Sequence, residues 1–307
     1  MRKLLVLFFC FYSLSLSKLC GQHDPLVNNY GLNQHYFNPA YTGLNNVLQV
    51  NALTRQQWAG IEGAPTTHFL SAHTNFAGTR NGLGLTVLND RLGINNNVEV
   101  SVSYSHQIEF GLSGLSFGLQ GSFVNYNYDY TSLTLETGND LFFSDGVEEQ
   151  FSKPNFGFGL FYSAPTYYAG LSIPKVLNLS TQDLLTGGLE SERFRRHYYF
   201  TAGYIFDRMP DIIIKPHFLI RIVNGVPVSY DLNGSVLLRE VLWLNLLIRD
   251  FNTLGISTQI KFKNFHAGYS FELPLNSLLS ESFGTHEITF GIEFAAFRNQ
   301  ATRNRYY

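Results

Sequence analysis

Ser71, His73 and Asn75 are spaced two apart in a stretch of alternating polarity, so a hydroxyl, an imidazole and an amide share one face. Those are the residue types of a hydrolase site. Alternate residues of a strand stand roughly 7 Å apart, whereas a nucleophile and its base must come within about 3 Å. No Gly-x-Ser-x-Gly elbow accompanies them. Polar packing is the plainer reading of this set. Among the 9 histidines the closest pair is His68 and His73, an odd separation that sends them to opposite faces of a strand and argues against a shared metal. Gly82-Leu-Gly84 and Gly157-Phe-Gly159 lie in strand patterns with no helix behind them, so no phosphate cradle forms. The chain is not read as an enzyme, and it is assigned no catalytic residue, cofactor or metal.

What remains is a set of basic and polar residues, Arg55, Gln57, Lys215, His217, Arg221, Arg249 and Lys261, on strands that otherwise look embedded in a membrane. A charge held against lipid at the midplane would cost about 2–4 kcal/mol. These side chains therefore face inward or lie near strand ends, with carboxylates such as Glu99, Asp231 and Glu272 offsetting their desolvation. Arg55, Lys215, Arg221 and Arg249 are the candidate lumen network. Its reading is a brace for a filled interior, with a binding or transport role as the alternative.

The elements that must carry these residues are strands. Charged residues are 14% of the chain, against about 25% in ordinary soluble proteins. Aromatics reach 15%, with 27 glycines. Mean hydropathy is close to zero, as expected when strands have one greasy and one polar face. Val98, Val100, Val102 and Tyr104 alternate with Glu99, Ser101, Ser103 and Ser105, and Ile288, Phe290, Ile292 and Phe294 share one face of the last strand. The expected strands are 47–58, 66–75, 82–90, 98–109, 115–126, 155–163, 166–173, 197–206, 211–222, 226–237, 241–250, 254–262, 265–273 and 284–294. Most are near the length of about 9–11 residues that a tilted strand needs to cross a bilayer. Pro216 falls inside one of them and implies a bulge or a strand end. Alternation suits a sandwich as well as a barrel, but the connections separate the two. Every second link is short, and the long stretches, 127–154, 174–196 and 274–283, all fall on the other links, as in a barrel with one turn side and one loop side.

Met1-Arg2-Lys3 followed by Leu4 to Leu16 has the basic and apolar regions of a secretory signal peptide, with cleavage expected after Gly21. Cys10 and Cys20 would leave with it. Residues 1–21 are thus signal, 22–46 an aromatic, Asn-rich periplasmic or plug-like segment, 47–294 the barrel and 295–307 a tail. The fold expected is all-β: an outer-membrane β-barrel of about 14 antiparallel strands. The net charge of -2 gives no reason to expect nucleic acid.

Asn38-Pro39-Ala40-Tyr41-x-Gly43, then Arg55-x-Gln57-Trp58-x-Gly60 and Gly63-Ala64-Pro65, followed in order by Gly82-Leu-Gly84, Asp90, Gly93, Lys215-Pro216, Asp231-Leu-Asn233 and Gly284-Thr-His-Glu-Ile288, resemble the PorP/SprF family of Bacteroidetes. The resemblance spans nearly the whole mature chain and departs from the family at Asn245-Leu-Leu-Ile248, where a strand richer in Gly and Ser is expected. It implies an accessory of the type IX secretion and gliding system in the cell outer membrane. Such a protein helps to export and anchor a large surface protein, such as a gliding adhesin, that carries a C-terminal secretion domain, and it works with other secretion components. A solute porin is the alternative, and a secreted soluble β protein a third. The long connections add candidate partner contacts of their own: Phe142, Phe143 and Phe151 with the basic cluster Arg193, Arg195 and Arg196, a mixture that suits a protein surface.

Overall fold

Side chains that alternate in polarity at every second residue bury one face and expose the other, and here that pattern closes into a wall. The computed structural model describes residues 25–28, 30–31, 33–45, 47–76, 79–132, 148–182 and 190–294, with the side chains of 132, 148–149, 179–182 and 190–194 left aside. The expected signal peptide, both cysteines, Phe142, Phe143 and the tail lie outside the described residues. In chain order the strands are β1 Leu48–Gln56, β2 Thr66–Asn75, β3 Asn81–Leu92, β4 Asn95–Phe110, β5 Ser113–Asp129, β6 Glu148–Ser163, β7 Tyr167–Ile173, β8 Leu179–Gln182, β9 Glu190–Phe194, β10 His197–Tyr204, β11 Phe206–Met209, β12 Ile212–Val223, β13 Ser229–Leu238, β14 Leu242–Arg249, β15 Thr253–Phe262, β16 Phe265–Pro274 and β17 Thr285–Phe294.

All pairings are antiparallel. β1 pairs with both β2 and β17, and β10 pairs with both β7 and β12, so the sheet closes on itself. β11 prolongs β10 along β12, and β8 with β9 forms a separate hairpin in the long link between β7 and β10. The result is a closed barrel of 14 strands.

The faces follow the sequence. Glu99, Ser101, Ser103 and Ser105 are buried inside, while Val100, Val102 and Tyr104 are exposed outside. Leu119, Phe123, Phe156, Leu171, Ile256, Ile260 and Phe290 continue an apolar outer girdle. A soluble sandwich would bury that face and expose the polar one, so the polarity of the wall is that of a membrane barrel. The protein is expected to sediment with outer membranes and to migrate faster on gels before boiling than after it; full recovery as soluble protein would contradict this.

The structure departs from the sequence reading at several places. β5 runs to Asp129 and β6 starts at Glu148, so the ends of the expected 127–154 connection are strand, paired as Asp129↔Glu148. β7 stops pairing with β6 at Phe158, whereas β6 runs on to Glu148, about 30 Å more strand at the usual rise. Pro216 sits mid-strand in β12. Its β13 side pairs with Gly234, but the β10 ladder breaks there after Gly203↔His217 and resumes with β11 at Phe206↔Ile214. Proline has no N–H to give, and the wall leaves that ladder position empty.

Links 57–65, 93–94, 130–147, 174–196, 224–228, 250–252 and 275–284 share one rim, here called the loop end; the other links share the turn end.

Candidate functional site: the filled lumen

Residues 25–44 have neither helical nor strand periodicity, and they lie inside the barrel. Among the described residues of this stretch the regular pieces are α1, Gln34–Phe37, and a 3-10 turn, Pro39–Tyr41. Asn38 starts that turn: its Oδ1 accepts from the Ala40 N–H at 2.9 Å, and its Nδ2 donates to the Leu160 and Leu171 carbonyls at 2.9 and 3.4 Å. Proline at the first position costs nothing there, because that N–H has no helical partner. Ser172 donates to the Phe37 carbonyl at 2.6 Å, Ser105 to the Thr42 carbonyl at 2.5 Å and Thr42 to Ser103 at 3.0 Å. These bonds satisfy backbone that leaves water without joining the ladder.

The wall makes room for this turn with glycine. A Cβ on Gly118 would strike the backbone of Pro39 and Ala40, one on Gly159 the Asn38 amide, and one on Gly82 the Thr42 carbonyl. Gly43, at φ 63°, reverses the segment toward β1 against Thr74 and Gly82. Apolar side chains fill the remaining space. Val27, Tyr30 and Phe37 cluster with Leu53, Phe69, Leu88, Tyr199, Leu219 and Leu247, and Ala40, Tyr41 and Leu44 with Phe161, Tyr168 and Ile205. Tyr36 packs edge-on against Phe69 at 5.2 Å.

The charges gather at the loop half of the lumen. Arg55, 2% exposed, donates to both oxygens of Glu272, at 3.0 and 2.7 Å, and to Glu287 at 3.3 Å. Arg249 grips Asp231 through Nη2 at 2.9 Å and Nε at 3.0 Å and reaches Glu272 at 3.2 Å. Asp231, Arg249, Glu272, Arg55 and Glu287 thus form one chain of contacts in which the sign alternates. Glu287 also accepts the backbone N–H of Asn28 at 2.9 Å, and the Tyr30 hydroxyl reaches the carbonyls of His217 and Asp231 at 3.5 and 3.4 Å. The network therefore holds the inner segment as well as the strands.

The four candidate basic residues do not form one cluster. Lys215, 1% exposed, lies in the turn half over the ring of Trp243, 5.0 Å from its centroid, with no ion pair among the described residues. Arg221 donates to Ser229, which donates to Asp250. Glu99, expected to partner a strand residue, instead meets Lys175 at 3.2 Å. Lys175 belongs to the link after β7, which enters the mouth where the Val176 N–H bonds the Phe156 carbonyl and Asn155 bonds Leu177 twice. Lys261 lies one residue from the turn end of β15, on the same face as the buried Ser257 and Gln259, and pairs with Glu293 at 2.7 Å.

A second assembly joins two links at the loop end. Trp58, at φ 48°, donates its backbone N–H to Thr285 at 3.2 Å. Ala59 exchanges backbone bonds of 2.7 Å with Phe283 and Gly284, and Phe283 lies against Gly60. Gln57 donates to the Pro65 carbonyl at 2.9 Å. The motif at 57–65 and the closing Gly284-Thr285 are therefore two halves of one clasp.

Residues 19–292 match the family described as Type IX secretion system membrane protein PorP/SprF. The chain belongs to the PorP/SprF family. No curated relative matches it in sequence. Its shape is similar to the outer membrane protein Omp33 of Acinetobacter baumannii (9% identity, 82% of this chain and 99% of that one, TM-score 0.47), to the CymD monoaromatic hydrocarbon channel (11%, 87% and 92%, 0.49) and to the translocator domain of the autotransporter NalP from Neisseria meningitidis (11%, 81% and 88%, 0.41). Likeness at this level says nothing of cargo or ligand.

As a PorP/SprF protein the chain is an outer-membrane barrel of the type IX secretion family. Its motif residues Asn38, Pro39, Tyr41 and Gly43 hold the inner segment, while Trp58, Gly60 and Pro65 belong to the loop-end clasp. The partner residues read from sequence are dispersed. Phe151 lies in β6 rather than in a loop, stacked 5.1 Å from Tyr126 and 6.1 Å from Tyr128. Arg195 donates to the Asn224 carbonyl at 2.8 Å, and Arg196 to the Val176 carbonyl at 2.6 Å, so both tie loops together. Arg193 lies in β9, with its side chain outside the described residues. His73 accepts from the Gly43 N–H at 3.3 Å and packs 4.7 Å from His35, with no bond to Ser71. Glu287, Asn28, Tyr30 and Lys175 escaped sequence reasoning. Glu287 alternates with Ile288 and was open to a parity argument; the others follow no period.

Proposed function

We propose that this PorP/SprF barrel helps to export a secreted surface protein and keeps it at the cell surface, acting as a closed scaffold rather than a solute pore. The partner is a large protein with a type IX C-terminal secretion domain, such as a gliding adhesin, and the barrel works beside other components of the system. Supporting this is an interior occupied by residues 25–44, which touch the wall from β1 to β17 and leave the loop end as the surface open to partners. Short turns face the periplasm and long links the exterior in barrels of this kind. The inner segment serves as a plug, and the connections 130–147 and 174–196 supply the contacts with the exported protein. Long connections in compact folds are commonly functional.

The test replaces 136–147, which precede β6, with a short Gly-Ser linker and measures how much of the exported protein stays on intact cells. Loss of retention into the medium is expected, with normal heat-modifiable folding. Unchanged retention would remove this connection from the mechanism.

A further inference from the structure

The inner segment has a direction. Pro25 accepts from the Tyr36 hydroxyl at 3.4 Å, and Tyr36 lies beside Phe69, three residues from the loop end of β2. Val27 clusters with Leu53 and Leu247, near the loop ends of β1 and β14. Asn28 bonds Glu287, and its amide lies over Gly255; both residues sit two places from the loop ends of their strands. At the other limit, Thr42 and Gly43 lie against Gly82, Thr74 and His73, at the turn ends of β3 and β2. From 25 to 44 the chain therefore descends the lumen from loop end to turn end, reverses at Gly43 and climbs again as β1.

From this course we infer that the inner segment is threaded with its Pro25 end at the loop-bearing mouth, so that Pro25 and Leu26 are presented on the same side as the long connections. A signal peptide leaves a barrel protein on the periplasmic side, and a leader that simply joined β1 would stay there. Here the start of the segment faces the opposite rim, beside the alternating carboxylates and guanidiniums of Asp231, Arg249, Glu272, Arg55 and Glu287. An exported protein held at that rim meets Pro25 and Leu26 as well as the loops. The direction of threading follows from the contacts alone and does not depend on the proposed function.

Three single-cysteine variants test it: Leu26→Cys, Asn252→Cys in a loop-end link and Asn264→Cys in a turn-end link, each treated with a membrane-impermeant thiol reagent on intact and on permeabilised cells. Leu26→Cys is expected to label together with Asn252→Cys, and Asn264→Cys in the opposite condition. Should the two reference sites exchange behaviour, the orientation of the barrel falls while the threading stands. Labelling of Leu26→Cys together with Asn264→Cys overturns the inference. If Leu26→Cys resists the reagent in both conditions, the pair Asn28→Cys and Gly255→Cys decides the matter. Oxidation is expected to cross-link the two residues, and failure to do so overturns the inference.

Discussion

Replacing Arg55 with alanine is expected to destabilise the folded barrel by about 3–5 kcal/mol, the cost of leaving buried charges without their partner. Arg55 is the shared counter-ion of Glu272 and Glu287, and both carboxylates are almost wholly buried. Its removal leaves Glu272 with Arg249 alone, and Glu287 with the backbone N–H of Asn28 among the bonds described. The loss should appear as a lower denaturant midpoint and as reduced heat-modifiable protein. Glu272→Gln should cost less, because each arginine keeps a second carboxylate, Glu287 for Arg55 and Asp231 for Arg249. The outer pair Arg80–Glu109, 3.3 Å apart and largely exposed, is the control: Arg80→Ala should change stability by about 1 kcal/mol or less. An Arg55→Ala effect no larger than that of Arg80→Ala would refute the brace.

The second large effect is expected at Gly118. Valine there places its Cβ in the backbone of Pro39 and Ala40. Overpacking against side chains costs about 1–3 kcal/mol, and main chain pinned by the Asn38 bonds yields less readily. Loss at or above the top of that range is expected. Gly121→Val, on the same strand with nothing near its Cβ, should be close to neutral. Removing residues 25–44 should relieve the Gly118→Val penalty and raise conductance in planar bilayers, while the whole chain conducts little. A large, steady conductance from the whole chain would favour a diffusion porin over a closed scaffold.

The wall could be read from sequence because alternation is a local signal. β2 occupies the expected 66–75 without change, and Val100, Val102 and Tyr104 lie on the outer face as their parity requires. The extended β5–β6 hairpin could not be read in the same way. Tyr126, Tyr128 and Phe151 are buried or half-buried on its inner side, so the inner face there is aromatic and the alternation of polarity fades. The interior is illegible for a different reason. Residues 25–44 are shaped by a surface assembled from many strands, and what receives the Asn38-Pro39-Ala40 turn is an absence of side chain at Gly118, Gly159 and Gly82. Single glycines in a strand do not announce what approaches them. The charge network was partly visible: inward parity applied to Arg55, Arg249, Asp231 and Glu272, whereas Lys215 and Arg221 share that parity without joining the cluster.

The contact between Asn28 and Glu287 joins residues 259 positions apart, and it constrains the order of assembly. Glu287 stands on the last strand, so the bond that holds the Asn28 end is completed only when β17 closes the ring against β1. Until Glu287 arrives, the Asn28 end has only transient apolar neighbours, and closing so long a span carries the entropic penalty of chain length. Formation of the β1–β17 seam is therefore the event that brings the Asn28 end its polar anchor. A chain in which that seam is slow would accumulate as an unclosed sheet with its N-terminal residues still open to proteolysis.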